Sequence, residues 1–557
     1  MAGTILTPVA IWRNFKIDQV PTATALYEKR ENSVIYTGVR INGRKTKDGQ
    51  VGIFAELAKA KSAFDAPAIL LVKDIGRNSD EKLVEKLVKQ GFVVLSVDIG
   101  GLGQNKEYYT EYPESLSYAN FQNVKDTLRE VKKGANETCW YEWTVAVRYA
   151  LSFFKNMIGI GNVGGLGLGR SATVMWQVAG TDENLDCVVF ALDSGWRCYR
   201  GTHKFGGVEP QFSDDVYKYI AGIEPEAYAS HVKCPVLMLS ATNSNEFDVD
   251  RAYDTINRTN EEIYTAVHYS VGNTDNVASV AYENAVTFFK NYLVKDKKVY
   301  LAGEIDVKGE IVEGKFLATV TPDKKDLKEI VFYVAEGMAD PALRSWNKIT
   351  LPVEIKNGVY TFEYKPYHQS GIVTFFASAT YKSGFSVCSA IQAKRFEPEE
   401  IAFAYKSKII YSSRIPNAES TFFAESGNDV VNVDDNNKVV KKKGPMGMEG
   451  VSVKNGVVTF KMITEKDKPQ VDSMLIFDLY SPENTEYTVS LIADYFGERV
   501  EYFCTGSIYG GDIWHNIKLN RNRFKTAEGM PLKNYEKIQA LKFKTEKDGL
   551  INNALWV

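Results

Sequence analysis

Hydrolytic and acyl-transfer chemistry needs a nucleophile, a base that takes its proton and an acid that orients the base. The base is the scarce partner in this chain. Its 557 residues hold five histidines, and the first 297 residues contain three, His203, His231 and His268. His268 falls inside the apolar run Tyr264 to Tyr269, and for all three a structural or surface role outweighs a catalytic one. Six cysteines, Cys139, Cys187, Cys198, Cys234, Cys388 and Cys504, are scattered without CxxC spacing. That pattern gives no zinc site, redox pair or disulfide framework, so buried free thiols and no metal are expected. Gly159-Ile-Gly161-Asn-Val-Gly164 fits a G-x-G-x-x-G fingerprint. It follows a helical stretch and leads into a strand, the reverse of what pyrophosphate binding needs, so no dinucleotide or other cofactor is expected.

These residues sit in a regular succession of elements. From Pro67 the chain alternates apolar strands with helical stretches. Ala68 to Val72 is continuous enough to be buried on both faces of a parallel sheet. A helix capped by Ser79 or Asp80 carries Leu83, Val84, Leu87 and Val88 at helical spacing and stops at Gly91, before the strand Phe92 to Asp98. Residues 103 to 142, rich in polar and aromatic side chains, interrupt the alternation as an insertion over the sheet. A helix from Trp143 to Phe154 restores it. Strands at Cys187 to Leu192, Val236 to Ser240 and Tyr264 to Tyr269 follow, with helices near 172–179, 249–258 and 276–293. From Val299 the helical period disappears and short alternating segments such as Gly314 to Val320, Ile330 to Val334 and Gly371 to Ala377 read as a small β-sandwich. After Pro398 a second all-β stretch is long enough for a jelly roll.

Length alone implies several domains, and a 44% hydrophobic, 25% charged composition is that of a globular protein. The formal net charge of −3 leaves no broad basic surface, so nucleic acid is not an expected partner; Lys441-Lys442-Lys443 reads as a solvated loop. No stretch offers the ~18 apolar residues of a membrane span. The start Met1-Ala2-Gly3-Thr4-Ile5-Leu6 lacks the features of a secretory leader, so the expected location is cytoplasmic, with secretion by another route left open.

Gly91-Phe-Val-Val-Leu-Ser-Val-Asp98-Ile-Gly-Gly-Leu-Gly103 resembles the strand and turn "GY-x-V-L-x-x-D-x-x-G-x-G" of α/β hydrolases in the dienelactone hydrolase and acetyl xylan esterase group. The resemblance implies a nucleophile elbow, G-x-S-x-G, about seventy residues on. Val163-Gly-Gly165-Leu-Gly167-Leu-Gly169 stands there, with Gly167 in place of the serine. The family's acid follows a phrase like "P-V-L-x-L-x-G-T-N-D". Pro235-Val-Leu-Met-Leu-Ser-Ala-Thr242-Asn243-Ser244 reproduces it with Ser244 for the acid, and Glu246, Asp248 or Asp250 substitutes only through a re-routed loop. The histidine is due after Ser270, where Val271 to Asn276 has none and Asp275 marks the position. The implied triad is therefore degenerate at Gly167, Ser244 and Asp275. A relocated nucleophile, Ser171 with Asp248, is the alternative. The backbone N–H groups of Leu168 and Gly169 at a helix start remain able to hold a carboxylate, phosphate or acyl oxygen.

The closing segment, with Trp514 to Leu519 and Asn552-Asn553-Ala-Leu-Trp556, is similar to jelly-roll carbohydrate-binding modules; Tyr495, Tyr502, Tyr509 and Trp514 are its candidate sugar platforms. For Trp514 and Trp556 a core role is the stronger expectation. The middle unit resembles immunoglobulin-like linkers and is expected to be a spacer. The expected organisation is an α/β-hydrolase domain over 1–297, its mostly parallel sheet covered by helices on both faces, with the insertion at 103–142. An immunoglobulin-like sandwich over 298–397 and a jelly roll over 398–557 follow. The expected function is that of a pseudoenzyme, a binding, scaffold or assembly protein that takes a carbohydrate or small acyl ligand, a protein partner or a second copy of itself. A carbohydrate esterase with relocated groups is the alternative.

Overall fold

The computed structural model describes residues 4–557 apart from 62–65, 74–80, 104–106, 125–127, 200–201, 208, 245–246, 273–280, 296–297, 338–339, 367–370, 398–399, 401–407, 416, 425–438, 464–466 and 496. Ser79, Asp80, Glu246 and Asp275, named above, lie outside the described residues.

The first unit is built on a nine-stranded sheet. Its strands are β1 (Ala23–Glu31), β2 (Val34–Lys45), β3 (Gln50–Ala60), β4 (Ala66–Val72), β5 (Val93–Val97), β6 (Ile160–Leu168), β7 (Cys187–Ala191), β8 (Val236–Ala241) and β9 (Thr265–Ser270). They lie in the order β1-β2-β3-β5-β4-β6-β7-β8-β9, antiparallel through the β3–β5 pair and parallel from β5 to β9. β1 to β3 precede Pro67, where the sequence pattern becomes legible. β1 is exposed or half-buried along its whole length, which leaves little apolar alternation to read.

The helices are α1 (Pro8–Trp12), α2 (Glu81–Lys89), α3 (Cys139–Lys155), α4 (Ser171–Ala179), α5 (Asp214–Gly222), α6 (Pro225–Tyr228), α7 (Ala252–Ile256) and α8 (Tyr282–Leu293). The two faces of β4 show how the layers form. Ala68, Leu70 and Val72 join Trp143, Val147, Met175 and Trp176 of α3 and α4 in one core. Ile69 and Leu71 join Leu83 and Leu87 of α2 and Phe288 and Phe289 of α8 in the other. A strand covered on both faces needs apolar residues at every position, hence the unbroken run in the sequence. α4 is buried along its whole length. Its polar Gln177 is accommodated by accepting from Thr144 Oγ1 at 2.7 Å and donating to the Ile223 carbonyl at 3.0 Å.

The insertion after Gly103 forms short 3-10 turns over α3, where Trp143 Nε1 donates to the Ala119 carbonyl at 2.9 Å. Thr138 caps α3 by accepting from the Tyr141 N–H. The buried Glu142 is matched by Arg44 at 2.7 Å and the Tyr118 hydroxyl at 2.9 Å.

The second unit packs a four-stranded sheet, formed within residues 306–364, on a five-stranded sheet formed within 327–395. Phe316, Phe332, Phe362 and Phe375 fill the space between them. This unit is not a detached spacer, because its apolar residues continue both cores of the α/β unit: Trp346, Phe376 and Cys388 enter one, Phe332 and Phe375 the other. Tyr253 donates to the Cys388 carbonyl at 2.6 Å, and Asn284 exchanges two hydrogen bonds with the Ser386 backbone at 2.7 and 2.9 Å. The third unit, within Lys408–Trp556, packs a six-stranded on a five-stranded sheet around Phe477, Leu491, Phe543 and Trp556. All six cysteines are free thiols. No helix among the described residues is long and apolar enough to cross a membrane.

Candidate functional site

In a sheet whose strand order reverses beside its central strand, the C-terminal edge at that reversal is where ligands bind. Here the edge lies at the ends of β4 and β6. Gly167 is inside β6, paired with Val72 on one side and Phe190 on the other. A Cβ at Gly167 would stand 2.7 Å from Ala172 Cα and 2.7 Å from Met175 Cβ, so this glycine allows α4 to lie against the strand. The left-handed turn residue is Gly169, φ 54°, two positions later than the sequence pattern places it. The strand's extra length also engages one of the two N–H groups expected to hold an anion: the Gly169 N–H donates to the Ala191 carbonyl at 2.9 Å. Ser171 opens α4 with no exposed surface, and its hydroxyl donates to the Lys73 carbonyl. A buried hydroxyl committed to a backbone acceptor is not presented to a substrate.

Ser244 follows β8, at the rim of a cavity described below. Asp248 is buried and accepts from the Lys204 N–H at 3.0 Å and Arg251 Nε at 3.2 Å; burial, then the neighbouring Asp250, push its carboxyl up to about 6. Asp250 receives both terminal nitrogens of Arg344, at 2.5 and 2.6 Å, with both side chains fully buried. Asp250 thus joins the α/β unit to the second unit, while Asp248 is held within the α/β unit by Lys204 and Arg251. His268 lies in β9, where burial pushes its imidazole down to about 4 and keeps it neutral.

The third histidine is placed differently. His203 lines a half-open cavity of about 460 Å³ at the C-terminal edge, its wall drawn from all three units. The α/β unit contributes Arg129, Glu130, Arg197, Cys198 and Ser244 beside it, with Phe212, Val216 and Phe247 as apolar wall. The second unit adds Asp340 and Ala342, and the third adds Phe460, Ile463 and Gln539. His203 Nε2 is 3.4 Å from Asp340 Oδ2. Burial alone would lower this imidazole, but Asp340, with Asp248 and Asp250 behind it, holds it above its ordinary value. The wall draws on segments more than four hundred residues apart, so no local spacing marks it, and for His203 the sequence supports only a structural or surface role.

The loop after β7 that carries Arg197 and Cys198 is strained. Leu192 and Trp196 occupy the left-handed region at φ 67° and 60°, at a cost of roughly 1–3 kcal/mol each. They are held there by the Leu192 N–H on the Leu239 carbonyl at 2.7 Å and Trp196 Nε1 on Thr255 Oγ1 at 2.9 Å. The guanidinium groups of Arg251 and Arg258 each lie 5.0 Å from the Trp196 ring. Below the loop, burial and then Asp193 push Glu224 up to about 7; burial and then Glu224 raise Glu226 well above the usual carboxylate range. Asp193 accepts from Arg197 Nη2 at 2.9 Å and from the Thr173 hydroxyl.

The four candidate aromatics of the third unit, Tyr495, Tyr502, Tyr509 and Trp514, differ in exposure. Tyr495 is buried, edge-on to Phe460 and 4.2 Å from the Arg499 guanidinium. Tyr502 packs partly against the core of its own unit. Trp514 is half-buried, tilted against Tyr480 and donating to the Pro445 carbonyl at 3.2 Å, while Trp556 is a core residue. Tyr509 alone of the four is broadly exposed, at 80%.

No family model matches the chain, and no curated protein does. Solved structures do. An acetyl xylan esterase from Paenibacillus sp. R4 is 12% identical, matching 51% of this chain and 92% of its own at a TM-score of 0.36. Acetyl xylan esterase 1 from Thermoanaerobacterium sp. JW/SL YS485 is 15% identical over 49% of this chain and 90% of its own, TM-score 0.33. A cold-adapted esterase from an Arctic intertidal metagenomic library is 14% identical over 48% of this chain and 97% of its own, TM-score 0.33.

Proposed function

We propose that this chain is a non-catalytic protein of the α/β-hydrolase fold that binds a small ligand in the cavity between its three units. Gly169, rather than Gly167, holds the place of the missing nucleophile. The observation that carries this reading is the turn itself: its left-handed residue has no side chain, and the nearest hydroxyl, Ser171, is buried against the Lys73 carbonyl. The sequence from Val271 to Ala281 supplies no histidine to act as base. The two β units, of immunoglobulin-like and jelly-roll type, supply part of the cavity wall; a carbohydrate or short acyl compound is a ligand of suitable size.

A second reading, an ester hydrolase with relocated groups, draws on one fact: Ser244, His203 and Asp340 line the same cavity, with His203 on Asp340 at 3.4 Å. Turnover of p-nitrophenyl acetate and acetylated xylan separates the readings. A binding protein gives wild-type, Ser171→Ala and Ser244→Ala rates indistinguishable from buffer. Turnover abolished in Ser244→Ala establishes the second reading, and turnover abolished in Ser171→Ala overturns the placement of that hydroxyl.

A further inference from the structure

We infer that two copies of this chain associate about a two-fold axis through the free edge of the second unit's four-stranded sheet. The edge strand Glu354–Lys356 of each copy pairs antiparallel with that of the other, centred on Ile355. None of these residues lines the cavity, so the inference is independent of ligand binding.

Three observations carry it. The first is an apolar open edge. Glu354–Lys356 is the last strand of its sheet and pairs, among the described residues, with the strand Val359–Tyr364 alone. Leu351, Val353 and Ile355, beside and within it, are 80%, 62% and 60% exposed. The second is the direction of its backbone groups. Asn357 and Gly358, both left-handed at φ 54° and 79°, form a two-residue hairpin turn, which makes Lys356 and Val359 the closing hydrogen-bonded pair. The alternation of an antiparallel ladder then points the N–H and C=O of Ile355 away from the sheet, where a second Ile355 can exchange both bonds. The third is charge. Pairing centred on Ile355 sets Glu354 of each copy opposite Lys356 of the other, whereas centring on either charged residue, or pairing in parallel, sets like charges together. Neither side chain has an ion-pair partner of its own among the described residues. The charges on two other sheet edges are matched within their strands: Arg30 with Glu28 at 3.1 Å and Lys29 with Glu31 at 3.9 Å on β1, and Lys308 with Asp306 at 3.6 Å on Asp306–Val312. A lysine on an edge discourages indiscriminate pairing. Glu354, two positions before Lys356, admits a strand of complementary charge, and a second copy supplies one.

One short strand per copy buries less than the roughly 1,200 Å² of a stable interface, so the dimer is expected to be weak and concentration-dependent. Analytical ultracentrifugation of the full chain at low ionic strength, up to about 200 μM, reads it. Glu354→Lys and Lys356→Glu each turn both cross-copy contacts into like-charge pairs and should weaken dimerisation about tenfold. The double variant Glu354→Lys with Lys356→Glu restores opposite charges at both contacts and should dimerise as the wild type does. An equimolar mixture of the two single variants should likewise form a heterodimer, although each alone is largely monomeric; this arm also shows that both variants are folded. A wild-type chain that stays monomeric throughout the range overturns the inference. So does a dimer indifferent to both single reversals, which uses another surface, and so does dimerisation lost in the single variants but recovered neither in the double variant nor in the mixture.

Discussion

Replacing Arg344 by methionine removes one partner of an ion pair that joins the α/β and second units. Both side chains are fully buried, and two hydrogen bonds of 2.5 and 2.6 Å run from the guanidinium to Asp250. The Arg344 carbonyl also accepts from Asn243 Nδ2 at 2.7 Å and from the Ser420 hydroxyl at 3.1 Å, so the same residue ties three segments together through its backbone, which the substitution leaves in place. The charge and its bidentate geometry are lost, with the placement of the guanidinium 5.8 Å from the Phe205 ring and 5.9 Å from the Trp346 ring. Asp250 then remains buried beside Asp248, a like charge, with its bidentate partner gone. Breaking a buried pair from one side costs about 3–5 kcal/mol. An exposed pair such as Arg30 with Glu28, 69% and 52% accessible, is a suitable control, worth about 1 kcal/mol or less. Urea unfolding should be followed by tryptophan fluorescence and by far-ultraviolet circular dichroism, because a chain of several units need not unfold in one step. Arg344→Met is expected to shift the first transition by the full 3–5 kcal/mol, and Arg344→Met combined with Asp250→Leu to recover most of it, since the stranded charge is gone. An Arg344→Met variant within about 1 kcal/mol of wild type would refute the view that this pair locks the two units.

Gly167→Ser should destabilise by about 1–3 kcal/mol or more, because its Cβ meets backbone and side chain of α4 at 2.7 Å; thermal unfolding beside Gly169→Ser, expected to cost about 1–2 kcal/mol for a side chain in the left-handed region, ranks the two. Equal stability of Gly167→Ser and wild type would return the turn to Gly167. Glu226 keeps its proton to a higher pH in the folded protein than in the unfolded chain, chiefly through burial. Its stabilising contribution is therefore complete below the ordinary carboxylate value and is lost as pH rises through the elevated folded value. Glu226→Gln, which resembles the protonated acid, should raise the melting temperature at pH 8.5 and flatten its decline between pH 6 and 8.5; a variant less stable than wild type at pH 8.5 contradicts this.

The parallel strands were legible because burial on both faces leaves no position for a polar residue: Ala68 to Val72 and Cys187 to Ala191 read as strands from their side chains alone. β1 to β3 were not, since β1 is half-exposed and breaks no such rule. The glycine-rich turn after β6 was legible, but not the residue at which the chain turns left-handed. Between Gly164 and Gly169 four of six residues are glycine, and with so few side chains the end of the strand is set by its ladder to β7 and by the φ of Gly169, neither of which leaves a mark in the sequence. The packing of the second unit against the first was not legible for a related reason. Phe332, Trp346 and Phe376 are equally apolar whether they face their own sandwich or a neighbouring sheet, and only the packing assigns them to a shared core. His203 and Asp340 lie in different units and nothing local pairs them, so the cavity required the fold.

The most direct measurement on the proposal that the chain lacks a working nucleophile is intact mass after prolonged exposure of the wild-type chain to a serine-directed alkyl fluorophosphonate. The account predicts an unchanged mass, because the turn residue is Gly169 and Ser171 is buried. A stoichiometric adduct that maps to Ser171 or Ser244 would contradict it and identify the chain as a working serine hydrolase.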